Sequence, residues 1–411
     1  MRSILSRAWL ILLCRVLMSA GYSLAFPYFA VYLSRQRSFS LELIGTAMAA
    51  SLLISAMAQI LGGRAADKMG RRPVMLGGVG ARALFILALA FAVRGAAGFA
   101  VLAALHFAGS FAGGFFDASS DAWISDWFSE DERLQAFSWI RTGGNLGWAL
   151  GPVLGGFLMN GAGYAELFFW AAAVYAACLL LLAALLPESH PVKSAAPNSG
   201  EGGLARAAGD ARLWILGAGT ILIGTVMSQL VTPLSLYAVD FLRMSAEQVG
   251  LLFSLNGAIV VLFQIPVSHF GRGVKLSLFL CGGCLLYALG YASLAMIVHP
   301  GMVAAAVAVV TFGEISVSPA LNAVAANLAS EETRGTYLGA LRFFRQIGWA
   351  IGPWIGGFGL ARWGKAVPCP YWMMIGGCAV AAAAVFARLK ACLSDREEGL
   401  APELKGVPEA A

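Results

Sequence analysis

Charge is the scarcest ingredient of this sequence. Asp, Glu, Lys and Arg supply 12% of its 411 residues, about half the ~25% of an ordinary soluble chain. Hydrophobic residues supply 59%. A water-facing surface cannot be built from that ratio, so the outer surface has to meet lipid. Alternating apolar and polar runs are also missing. Only helices and closed barrels satisfy their backbone in lipid. The apolar runs here are continuous and reach the ~20 residues of a helical span, which leaves helices.

Other absences narrow the function. The seven cysteines form no disulfide framework; Cys14, Cys178, Cys281, Cys284 and Cys378 lie in apolar runs. Cys281 and Cys284 make a C-x-x-C without a second ligand pair, so they read as small packing residues rather than a metal or redox site. No H-E-x-x-H or G-x-S-x-G occurs. The stretch "GLARWGKA" from Gly359 ends in Ala366, where a phosphate-binding loop needs Ser or Thr. The chain therefore reads as no enzyme, with no cofactor and no metal. An ion gradient, not ATP, is the natural energy source. A cleaved signal is also not expected, since the apolar run from Ala8 to Leu33 is interrupted only by Arg15 and is too long for a signal h-region. It reads as a first span.

What is present is a series of twelve apolar runs: 8–33, 42–63, 73–94, 98–124, 136–158, 165–186, 212–236, 247–268, 275–298, 301–326, 336–360 and 370–390. Residues 187–211, rich in Pro, Gly, Ser and charge, read as a flexible linker. The expected organisation is a six-helix half (1–186), that linker, a second six-helix half (212–390) and a disordered tail (391–411). Basic residues set the orientation. With both termini cytoplasmic, the cytoplasmic segments hold seventeen Lys and Arg against six on the other side. This bias accounts for the net charge of +6 without nucleic acid. The chain is expected in the inner membrane, as a monomer in contact with lipid.

An internal repeat supports the two halves. "GWALGPVLGGF" (147–157) returns as "GWAIGPWIGGF" (348–358). Over 129–157 and 330–358, Ser129, Glu130, Arg133, Arg141, Gly147, Trp148, Ala149, Gly151, Pro152, Gly155, Gly156 and Phe157 all recur at an offset of 201. Spans five and eleven are therefore equivalent and the halves are parallel repeats, an architecture of secondary transporters with the substrate site at the midplane between halves.

Between spans two and three stands "GGRAADKMGRRP". Its Gly63, Asp67, Gly70, Arg71 and Arg72 resemble the G-x-x-x-D-x-x-G-R-[KR] signature of the major facilitator superfamily. The likeness covers nearly the whole chain: twelve spans, parallel six-helix halves, a central loop and this signature in its place. It implies an all-α membrane protein with the major facilitator fold, working by alternating access. It also implies that Asp67 and Arg71 latch the halves on the cytoplasmic side, with Asp67 facing the start of span eleven. Gly63 and Gly70 would permit a tight turn and close helix approach. The second half keeps only "FQIPVSHFGRG", without an aspartate, so the latch is expected to be asymmetric.

The span-five stretch resembles the antiporter signature of drug:proton exporters. Gly147, Gly151 and Gly155 are spaced by four and form a smooth face for another helix. Pro152 bends the helix, and Gly156 follows. The alternative is packing with no bearing on transport direction. One departure stands out: exporters of this branch carry an arginine in span four, where "ALHFAGSFAGGFF" offers only His106.

A charge inside a span costs about 2.5–3.5 kcal/mol on insertion scales, so each one calls for a partner or a role. Asp117 and Asp121 share one face of span four. Asp121 is placed to pair with Arg141. Asp117 has no evident partner and is the leading proton carrier. Glu314 in span ten sits at the depth of Arg345 and reads as a buried pair, or as a coupling or substrate group. Arg15 either snorkels to the surface or faces the cavity, where it would favour anions or pair with an acid. Arg82 reads as structural. Tyr22, Phe26, Tyr28, Ser228, Gln229 and Asn256 are expected to line the cavity, with bends at Pro27 and Pro233. The expected function is proton-coupled efflux of hydrophobic or amphipathic small molecules. The competing readings are a transporter of a polar or anionic metabolite, and a non-transporting sensor or lipid-handling protein.

Overall fold

The computed structural model describes residues 2–128, 130–159, 163–189, 206–270, 273–297, 299–330 and 333–400. They form twelve long helices with alternating direction: α1 (Arg2–Arg35), α2 (Leu41–Met69), α3 (Arg71–Arg94), α4 (Phe99–Trp127), α5 (Glu130–Met159), α6 (Tyr164–Leu185), α7 (Ala211–Phe241), α8 (Ala246–Phe270), α9 (Leu276–Leu294), α10 (Pro300–Leu328), α11 (Arg334–Trp363) and α12 (Pro370–Lys390). Ten are long and apolar enough to cross a membrane; the other two, α5 and α11, carry the repeat and its arginines. Large side chains such as Leu84, Leu180 and Ile265 are mostly exposed on the outside of the bundle, as a lipid-facing surface requires.

The packing repeats at a step of six helices. In the first half α1 lies on α5 and α6, α2 and α3 on α4, and α3 on α6. In the second, α7 lies on α11 and α12, α8 and α9 on α10, and α9 on α12. Between halves, α2 packs on α11 and α8 on α5, again the same pairing, and α1 meets α7. The protein is a membrane protein of two parallel six-helix repeats. One side of the bundle carries both chain ends; we call the opposite side the far side.

The repeats differ most at α7. α1 runs unbroken through Pro27. α7 is helical over Ala211–Met227, tightens to a 3₁₀ turn at Ser228–Leu230, restarts over Thr232–Leu236 and widens to a π turn at Tyr237–Phe241. Pro233 supplies no N–H for the preceding turn. Just before it the Gln229 side chain donates to the carbonyls of Thr225 (2.8 Å) and Gly352 (3.3 Å), tying the turn to α11. The bends expected to be equivalent are therefore unequal.

Most of the expected linker, 190–205, lies outside the described residues, as do 401–411. Residues 391–400 depart from the disordered tail expected from 391: they form turns held to the ends of α7, α9 and α10.

Candidate functional site

The repeat explains its glycines through contacts. Along α5, Gly147, Gly151 and Gly155 lie against the α1 backbone and Ser23, and a Cβ at Gly151 would run into the Ser23 hydroxyl. Ser23 donates to the Gly147 carbonyl at 3.1 Å. In the second copy Gly348, Gly352 and Gly356 seat α7 in the same way, and Gly352 faces Ser228. The fourth glycine of each copy turns to the other half. Gly156 lies against Glu247 of α8, and Gly357 against Leu41 and Gly45 of α2. Each copy thus joins a helix of its own half to the seam between halves.

Those seam contacts lie toward the far side, and more follow there. Tyr28 is sealed, donating to the Pro152 carbonyl at 2.6 Å and reaching the Ala246 carbonyl at 3.3 Å. Arg35, at the end of α1, pairs with Asp240 of α7 at 2.5 Å and also reaches the Val239 carbonyl; Ser34 donates to Asp240 at 2.5 Å. The sequence reading missed this bond between halves. Its signal was Asp240, an acid just past the expected end of span seven, on the side that also holds Arg35, one of the few far-side arginines. The contacts between halves named above all lie toward the far side.

The main charged cluster lies toward the other side, in the first part of α1 and the last part of α4. Arg15 donates to Asp117 at 2.6 Å, to Ser120 at 2.9 Å and to Asp121 at 3.1 Å. It also lies over the Phe116 ring, 5.0 Å from its centroid. Asp117, expected to stand alone, is therefore an ion-pair partner of Arg15, and Arg15 takes the acid-pairing option rather than snorkelling. The arginine side chain is 19% exposed and the two carboxylates 35% and 37%, so the acids are only partly covered. Asp121 also approaches Arg342 of the other half at 3.9 Å. The Arg141 side chain, expected as its partner, lies outside the described residues. Arg342 is the equivalent arginine of the second half, so Asp121 reaches across the seam.

In the second half Glu314 sits at the middle of α10. It accepts from Asn256 at 3.0 Å, and Asn256 also donates to Thr311 at 2.9 Å. Arg345 is half-buried on α11 where its backbone meets Gly224 of α7. Tyr22 and Phe26 stack at 4.2 Å, with Trp148 edge-on to Tyr22 at 6.0 Å; all three are half-buried. Tyr28, Ser228 and Gln229, expected as cavity lining, are buried in helix contacts in this conformer, and Gln229 also accepts from the Tyr371 hydroxyl. Arg82 lies between the rings of Tyr22 and Tyr175, at 5.0 and 5.2 Å, over the space left by Gly113. His106 is buried among Phe26, Phe29 and Phe107 with no hydrogen-bond partner for either ring nitrogen among the described residues.

The signature loop builds a network inside its own half. Gly70 takes φ +98°, a conformation that favours glycine, and turns α2 into α3 in one residue. Arg71 pairs with Asp67 and, at 3.1 Å, with Asp126 at the end of α4. The Glu188 carboxylate accepts from the N–H groups of Arg71 (2.9 Å) and Arg72 (3.1 Å) and so caps α3; Arg72 also donates to the Ala183 carbonyl at 2.6 Å. Asp126, Glu188 and Ser189, which donates to Asp126 at 2.9 Å, were missed by the sequence reading. Gly63 meets nothing within 4 Å; its neighbour Gly62 makes the close approach, to Phe115.

Known proteins share this sequence and this architecture. The sequence profile of the Major Facilitator Superfamily matches residues 11–353. An uncharacterized MFS-type transporter, YqjV of Bacillus subtilis, is 27% identical over 382 residues, covering 90% of each chain. The multidrug resistance protein MdtH of Salmonella paratyphi B is 24% identical over 388 residues, with the same coverage. Among solved structures, a POT family transporter in complex with a thioalcohol-conjugated peptide superposes with a TM-score of 0.79 at 13% identity, covering 94% of this chain and 96% of that one. A bacterial homologue of the human lysosomal transporter Spinster, in an inward-facing and unoccupied conformation, gives 0.73 at 14% identity, covering 93% and 94%. The repeat, the signature loop and these likenesses agree: the chain belongs to the Major Facilitator Superfamily and is a membrane transporter.

Proposed function

We propose that this transporter exports hydrophobic or amphipathic small molecules from the cytoplasm by alternating access, and that proton movement through the Arg15–Asp117–Asp121 cluster drives it. The observation that carries this reading is the cluster's geometry. Two carboxylates share one guanidinium, remain partly uncovered, and one reaches Arg342 of the opposite half. Two close acids disfavour double ionisation, and an arginine between them favours it. Rocking the halves would move Arg342 relative to Asp121 and so change that acid's proton affinity and its hold on Arg15, which is what coupling requires. With both termini cytoplasmic, as the basic residues suggest, the cluster lies in the cytoplasmic part of the bundle and loads from there.

The half-buried aromatic surface of Tyr22, Phe26 and Trp148 suits apolar cargo, and the likeness to MdtH favours the same class. The reading as a transporter of anions loses its main support, since two carboxylates already balance Arg15. In this account the Asp67–Arg71 latch is released, consistent with Asp67 engaging Arg71 in its own half. The test is flux of lipophilic cations and neutral dyes from proteoliposomes under an imposed pH gradient. Flux should follow the gradient's sign and size. Flux that ignores the gradient would sink the coupling.

A further inference from the structure

The second half has no acid in its α8–α9 connection, yet the first turn of α9 is capped. The cap comes from the other end of the sequence. Glu398 is 1% exposed. Its carboxylate accepts from the Ser277 N–H at 2.9 Å and the Ser277 hydroxyl at 2.6 Å, and its carbonyl accepts from the Leu276 N–H at 3.1 Å. Its neighbours reach further. Glu397 takes a hydrogen bond from Arg212 at the start of α7 (2.7 Å), and its carbonyl takes one from Asn327 at the end of α10 (3.1 Å). Asp395 pairs with Lys275 at 3.0 Å. Asp210, which caps α7, accepts from Tyr337 of α11 at 2.9 Å and so carries the network to a fourth helix.

The first half solves the same problem from a nearer residue. There Glu188, just after α6, caps α3, and Asp126, at the end of α4, binds Arg71 and Ser189. At the repeat offset, Asp126 becomes Asn327, which cannot hold an arginine as an anion would. In each half a carboxylate that follows the sixth helix caps the third. A helix N-terminus carries partial positive charge and unpaired N–H groups, so a buried start needs such an acceptor. The second half needs its tail for more than a cap. α7 is broken through Ser228–Phe241, so fastening its start to α9 and α10 keeps it moving with them.

We propose that residues 394–400 are a fixed part of the second half's moving body: they supply the acceptors that its own loop lacks, position α7, α9 and α10 together, and stay docked throughout the cycle. Only the last clause rests on alternating access. Two experiments on the full chain in lipid nanodiscs test this. In hydrogen exchange, Glu398→Ala should speed exchange at residues 276–280 about tenfold, the size of a lost helix cap, and leave 71–75 unchanged. Glu398→Gln, which keeps an acceptor oxygen, should lie between. Glu188→Ala should give the mirror pattern. Unaltered exchange at 276–280 in both Glu398 variants would overturn the cap. In the second experiment, Lys275→Cys and Asp395→Cys, in a chain whose native cysteines are replaced, are joined by a bifunctional thiol reagent. The joined protein should transport at the rate of the unjoined one; a joined protein that stalls would overturn permanent docking. Should the wild-type protein carry no flux under any gradient, the proposed function fails while the exchange result still decides the cap.

Discussion

At the repeat offset, Asp117, Asp121 and Asp126 of the first half become Ser318, Asn322 and Asn327 of the second. The helices around them pack alike: α4 against α2 and α3, α10 against α8 and α9. Shape has been kept while charge has been removed from one side. The first half therefore holds the titratable cluster and the signature network, and the second holds a mostly neutral wall with one acid, Glu314, at a different depth. Packing and chemistry are separable here: glycine and proline positions repeat because both halves need the same close helix contacts, whereas acids persist only where a partner makes their burial tolerable.

That contrast can be broken by substitution. The largest effect is expected at the charged cluster. Arg15→Gln leaves Asp117 and Asp121 without their shared cation, so gradient-driven flux should fall to background while insertion persists; flux assays on purified, correctly folded protein read this out. Swapping the contrast by Asn322→Asp should instead leave flux within about twofold, because no arginine equivalent to Arg15 waits in α7, where charged burial needs a partner.

Next in size is the far-side seam. Asp240→Asn removes a charge-assisted contact of the kind worth about 1.5–3 kcal/mol. Thiol labelling of a single cysteine placed beside Ser34 should then rise about tenfold as the far side opens. Gly151→Ala should lower thermal stability by about 1–3 kcal/mol through overpacking against Ser23, and Gly352→Ala by a similar amount against Ser228. Gly63→Ala, which meets nothing, should be neutral or slightly stabilising.

The smallest effect concerns pH at the tail. Burial pushes the Asp210 carboxyl up, but hydrogen bonds from Arg212 and Tyr337 outweigh it and hold it below its ordinary value. Burial likewise raises Glu397, and Ser394 and Arg212 together bring it lower than usual. Both groups contribute stability that is complete above the ordinary carboxylate range, near pH ~4, and is lost as pH falls through their lowered values. Thermal melts should stay level from pH 7 to about 5 and decline below ~4. Arg212→Gln should flatten that decline. The groups are partly exposed, so the effect is modest.

Much of the architecture could be read from residues. Low charge and continuous apolar runs gave helices in lipid, and the +201 identities gave the parallel halves. The glycine face pointed to its contacts, because it is a local pattern whose geometry follows from spacing; the signature loop did not, since Asp67 engages Arg71 of its own half rather than the start of α11, and Gly62 rather than Gly63 makes the close approach. The cluster was only partly readable. Arg15, Asp117 and Asp121 were each singled out, but 102 residues separate Arg15 from Asp117, and no periodicity links α1 to α4. For the same reason Asp117 looked unpaired. Glu398 and Glu188 escaped notice because a capping acid from a distant segment looks like any surface charge in sequence. The break in α7 was hidden because Pro27 and Pro233 look equivalent until the turn before each is seen.

The central claim is that the first half's acids carry the coupling. The most direct measurement is the flux of a transported dye in proteoliposomes under an imposed pH gradient, comparing wild type with Asp117→Asn. The account predicts that Asp117→Asn loses gradient-driven flux and keeps gradient-independent exchange of dye across the membrane. Gradient-driven flux at the wild-type rate in Asp117→Asn would contradict it.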